Sequence, residues 1–159
     1  MSERADAALA ALRARLAEVE AVVRDTTDRD WERKTDAEHW PVGLVAFHIA
    51  RGFQRQAEFI EAVRDGGGPH RFDWDETHAL NAAVADAHRS PSREEALQLA
   101  RASVERVARA LAAMDEDSLA RPAFVFEDRE RDPVWVAGRL ATDHARGHLE
   151  SIAATIAAP

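Results

Sequence analysis

Cysteine is absent from the 159 residues, which removes several chemistries at once. No disulfide framework, thiolate metal site or cysteine nucleophile is available, so any metal must be held by His, Asp or Glu. Lysine is almost absent as well: Lys34 is the only one, and the other bases are arginine. The formal net charge is -8, and no basic stripe relieves it. Arg101, Arg106 and Arg109 share their segment with Glu94, Glu95 and Glu105. Such a chain is poorly suited to a phosphate backbone, so nucleic acid is not an expected ligand. No apolar run approaches the roughly 20 residues that span a bilayer, so no membrane partner is expected. The start, MSERADAALAALRARL, is amphipathic and charged rather than basic and then apolar, so the expected location is the cytoplasm. Aromatic residues make up 6% and β-branched residues are few, which argues against a sheet-based fold.

What is present points to helix. Ala, Arg, Leu and Glu dominate, all strong helix formers. The length is that of one domain, residues 1–159, with enough chain to bury a proper core.

Leu9, Leu12, Leu16, Val19 and Val23 step by three and four from Asp6 to Arg24, one face of an amphipathic helix that Thr26, Thr27 and Asp28 break. A second helix should open near Trp40-Pro41, carry Leu44, His48, Phe59 and Val63 on or near one face, and end at Gly66-Gly67-Gly68-Pro69. Asp75 is placed to cap a short helix through Ala87, with Leu80 and Val84 inward. Ser92 and Glu95 form a capping-box pattern before a helix using Leu97, Val104, Val107, Leu111 and Met114. Pro122 to Arg131 reads as a loop with a short extended piece at Phe124-Val125-Phe126. Asp132-Pro133 then caps a last helix running to about Ala157. The expectation is an all-α four-helix bundle with a short extra helix in the long connection between its second and third long helices. A connection of that length can cross the bundle, so up-down-up-down is not the only topology available.

The chemistry lies in the histidines. His144 and His148 are four apart, about 40° apart around a helix, with Cβ atoms roughly 5–6 Å apart. Metal–nitrogen bonds of about 2.0–2.1 Å let such a pair share one ion. Both lie on the face of Leu140 and Ile152, and His48 lies among Leu44, Val45, Ile49 and Gly52 on the apolar face of its own helix. Inward imidazoles are costly unless partnered, and one divalent ion would satisfy all three. Three separate hydrogen-bonded histidines are the alternative. Ala137, Ala141 and Gly52 are small neighbours that either leave space beside the ligands or serve close packing. His39, His70, His78 and His88 read as solvated.

Trp40-Pro41-Val42, Phe47-His48-Ile49-Ala50, Asp75 to Asn81-Ala82-Ala83, Ser92-Arg93-Glu94-Glu95 and Asp143-His144-Ala145-Arg146-Gly147-His148-Leu149 occur in that order. Together they resemble the DinB-like (DinB/YfiT-like) metal-dependent bundles over most of the chain. The resemblance implies an up-down-down-up four-helix bundle, often a homodimer. It implies one divalent metal, zinc or nickel first and iron or manganese next, on one histidine of the second helix and two of the fourth, matching His48, His144 and His148. Characterised relatives include S-transferases that use low-molecular-weight thiols such as mycothiol or bacillithiol.

Three functions are therefore carried forward. In the first, a metal-dependent thiol S-transferase acts on a small-molecule substrate, with a metal-bound thiolate as nucleophile and no protein residue assigned to catalysis. Arg55, two turns beyond His48, could hold a substrate carboxylate, and Asn81 and Trp135 are further substrate-binding candidates. The second is a metal hydrolase acting through a metal-bound water, which calls for a nearby general base. Asp143 and Glu150 adjoin the ligands but lie off their face. The third is a non-enzymatic metal- or ligand-binding stress protein.

Overall fold

A computed structural model describes residues 2–159. Four long helices carry the bundle: α1 (Glu3–Asp25), α3 (Val42–Arg64), α5 (Arg93–Ala112) and α8 (Ala141–Ala157). Between them lie α2 (Asp28–Trp31), α4 (Trp74–Ala87), α6 (Glu116–Leu119) and α7 (Pro133–Trp135), and a π-helical turn over Val136–Leu140 leads into α8. Three short strands, β1 (His70–Arg71), β2 (Phe124–Phe126) and β3 (Arg129–Arg131), form a small sheet in that order, β1 parallel and β3 antiparallel to β2.

The helix starts are set by local chemistry. Ser2, Thr27, Asp73, Ser92, Asp115 and Asp132 each accept a backbone N–H of the first turn that follows, satisfying donors that would otherwise be orphaned. Ser92 and Glu95 close the reciprocal box. The cap of α4 is Asp73 rather than Asp75, because Trp74 already belongs to the helix and Asp73 accepts from Glu76 N. Gly66, at φ 86, takes the left-handed conformation that ends α3.

Cross-bundle contacts define the topology. Arg101 bonds Glu20, and Arg93 at the start of α5 bonds Val23 O near the end of α1, so α1 and α5 are antiparallel. Arg106 pairs with Glu61, while Trp31, whose ring lies against Gly43 at the start of α3, bonds Pro91 O just before α5, so α3 and α5 run parallel. His48 meets His148 and Gly52 meets His144, which makes α8 antiparallel to α3. The result is up-down-down-up. Two parallel neighbours cannot be joined by a tight turn, and the segment between α3 and α5 returns to the opposite end of the bundle, carrying β1 and α4.

The core is aliphatic, with Leu12, Val19, Ile49, Phe53, Ile60, Val104, Leu111 and Ile152 almost wholly buried. Its few buried polar side chains are mostly satisfied locally: Thr26, Ser103 and Thr142 each donate to a carbonyl one turn back. α4 is different. It buries none of its residues and packs closely on none of the long helices. Leu80 and Val84, expected inward, are half-buried and face a cavity rather than the core.

Candidate metal centre and adjoining cavity

His48 on α3 and His144 and His148 on α8 converge where the two helices meet, their candidate ligand atoms all within 4.8 Å of one another. The Nε2 atoms of His48 and His144 are 3.2 Å apart. Two imidazole nitrogens on one tetrahedral ion, each bonded at about 2.05 Å, stand about 3.3 Å apart, so the spacing suits a shared cation. The π-helical turn one turn before His144 lies where such irregularities commonly adjoin functional groups.

Each ring is held in place by a different device. His144 lies against Gly52: a β-carbon there would fall 2.4 Å from its Cε1 and 2.6 Å from its Nδ1. The space left by the missing side chain is thus filled by the imidazole. Ala137 and Ala141 are fully buried, consistent with close packing. His148 Nδ1 lies 2.7 Å from Glu38 Oε1, and Ser151 Oγ donates to the other carboxylate oxygen at 2.6 Å. A carboxylate on Nδ1 sets the tautomer that leaves Nε2 free as a ligand. His48 packs on the edge of Trp40, ring centroids 5.4 Å apart.

The electrostatics favour neutral imidazoles. Burial, reinforced by His148 and Arg51 and opposed by Glu38, pushes His48 down to about 4. Burial, with His48 and His148 adding to it, pushes His144 down to about 3. Neutral rings keep their lone pairs for a metal. Burial alone would raise the Glu38 carboxyl, but hydrogen bonds from Ser151, Thr35 and His148 outweigh it and hold the group below its usual range. His144 Nδ1 is buried with no hydrogen-bond partner, so its ring is not placed to satisfy a structural hydrogen bond on that side.

Glu38 was not among the residues that sequence reasoning selected. It sits in the turn between α2 and α3, where Thr35 N bonds Trp40 O and His39 adopts φ 58, and no periodicity marks such a position. Ser151, three residues beyond His148, was the available hint. Asp143 and Glu150 face outward and pair with arginines of their own helix.

A cavity of about 340 Å³ opens beside the three histidines, between α3, α4 and the small sheet. Arg55 and Asn81 line it, together with Arg51, Gln56, Phe59, Phe72 and Leu80. His70 and His78 line it too: His70 is half-buried, which corrects its reading as solvated, while His78 is exposed as expected. His70 stacks on Phe59 at 4.2 Å, and burial followed by the charge of Arg55 lowers its pKa. His39 and His88 are exposed. Trp135 does not reach this cavity. It lines an adjoining groove of about 380 Å³ with Phe126, Arg129 and Arg131, sharing Phe72, Trp74, Phe124 and Leu140 with the first.

Among the described residues no helix is long and apolar enough to cross a membrane. A family model described as DinB superfamily matches residues 11–152. No curated protein and no solved structure matches the chain.

Proposed function

From a chain that belongs to the DinB superfamily and brings three histidines together in a geometry able to hold a metal, we propose a metal-dependent enzyme that transfers a low-molecular-weight thiol to a small electrophile. One divalent ion, zinc or nickel first, would be held by His48, His144 and His148. Three protein ligands leave a position for an exogenous group, the arrangement of catalytic rather than structural zinc. The ion would supply Lewis-acid stabilisation of a thiolate at neutral pH. The chain's own part is to present neutral imidazoles, orient His148 through Glu38 and offer an apolar, partly enclosed space beside them.

The observation that carries this reading is the convergence of the triad on a cavity lined by no Asp or Glu. A hydrolase needs a carboxylate or equivalent base facing the attacking water. Among the described residues the carboxylate bonded to the triad, Glu38, is already engaged with His148 and Ser151. The absence of cysteine fits a nucleophile brought by a cosubstrate.

The test is a panel of thiols, mycothiol, bacillithiol, glutathione and free cysteine, each supplied with a haloaromatic electrophile to zinc- and nickel-loaded protein. Thiol-dependent conjugation that disappears on metal removal supports the proposal. Turnover of an ester or amide without any thiol contradicts it.

A further inference from the structure

The charge around the cavity runs against that of the chain. The protein has 29 acidic residues, yet none lines the cavity, while Arg51 and Arg55 both do. Among the described residues neither arginine has an ion-pair partner, whereas most of the other arginines of the α3 and α5 faces do: Arg64 pairs with Asp65, Arg101 with Glu20 and Arg106 with Glu61. The only side-chain bond Arg51 makes is to the neutral Gln54. The positive charge of Arg55 is felt across the space at His70, whose pKa it helps lower.

A buried polar side chain lines the same cavity. Gln56 is only 5% exposed and lines the same cavity, and its Oε1 has no hydrogen-bond partner. Thr26, Ser103 and Thr142, buried to a similar degree, all have one. A carbonyl oxygen takes a donor, so the partners an anion meets in this cavity are the two guanidinium groups and not this atom. The remaining walls are apolar and flat-faced: the Phe59–His70 stack at 6° between ring planes, with Leu80 and Val84 opposite on α4.

We propose that this cavity binds a small carboxylate with a flat apolar body, the carboxylate held by Arg55 and Arg51 and the body laid between the Phe59–His70 stack and α4. Planar guanidinium groups match a planar carboxylate in two parallel hydrogen bonds, and a volume near the lower end for small-molecule sites limits the body to about one ring system. The assignment rests on the cavity being the substrate site of the enzyme proposed above, and it names that enzyme's electrophile as an aryl-type carboxylate.

Calorimetric titration with phenylacetate, phenylacetamide and phenethylamine tests it, using both chelator-treated and zinc-loaded protein. Phenylacetate binds both forms and exceeds the neutral amide by about tenfold or more, the range of one charge-assisted hydrogen bond, and phenethylamine is weakest. Arg55→Gln erases the preference and Arg51→Gln reduces it, with thermal midpoints close to the parent because both side chains are partly exposed. Equal binding of acid and amide overturns the proposal, as does parent-like selectivity in folded Arg55→Gln. Phenylacetate binding confined to the zinc-loaded form also overturns it, since the ion alone would then hold the anion. Selective binding to protein that never takes up metal would uphold the carboxylate site and refute the metal enzyme.

Discussion

The two walls of the cavity are built by opposite rules. On the α3–α8 wall, Ile49, Ala50, Phe53, Ala145 and Ile152 are nearly inaccessible, and two of the three histidines are fixed by specific neighbours, His144 by Gly52 and His148 by Glu38. On the α4 wall no residue is buried, Trp74 is 58% exposed, and the apolar side chains face open space. One wall holds reactive groups in place; the other covers whatever enters. A site that needs fixed ligands and variable cargo can use a dense wall and a loosely packed one together.

Substitutions can break or sharpen that contrast. The largest effect is expected from Gly52→Ala, which drives a methyl group into the His144 ring. Metal affinity should fall by about 100-fold or more, beyond the usual cost of disturbing a supporting residue, measured by competition with a chelating dye. Glu38→Ala leaves all three ligands but frees His148 to rotate. A loss of about 10–100-fold is expected, and unchanged affinity would show that the carboxylate does not orient the ligand. The packing of the walls is tested by comparing Ile49→Ala with Leu80→Ala. The first should cost about 2–5 kcal/mol in denaturant unfolding and the second less than about 1 kcal/mol. Equal costs would erase the distinction.

The smallest effect concerns pH. In the unfolded chain His48 and His144 titrate near about 6.5, whereas burial holds them at about 4 and about 3 in the native protein. The unfolded state therefore binds more protons over that interval, and native stability is full above it and declines as pH falls. The urea midpoint of metal-free protein should drop between about pH 7 and about pH 5, and His144→Gln should flatten that drop. A midpoint that does not change over this range would mean that the rings are solvated in the native protein.

The legible and illegible parts of the chain differ in a physical way. α1, α3, α5 and the end of α8 announce themselves because long helices repeat a spacing, and α1 and α5 also begin with capping side chains. The ligand pair His144 and His148 shows for the same reason, and His48 because it interrupts an apolar face. β1 is two residues long and has no period to detect. The π-helical turn hides inside an apolar stripe that repeats every four residues, because inserting one residue changes the backbone without changing composition. Glu38 acts from a turn, through a contact between residues 110 apart in sequence, and Gln56 stands out only once its carbonyl is seen buried and unpartnered. Trp135, a substrate-binding candidate from the sequence, stacks on Phe124 and lines the adjoining groove, outside the triad's cavity.

Elemental analysis of untagged protein tests the central claim most directly, alongside the same measurement on His148→Ala. One divalent ion per chain is expected in the parent and close to none in the variant. Parent protein that stays metal-free after incubation with zinc and nickel, while remaining folded, would contradict the account.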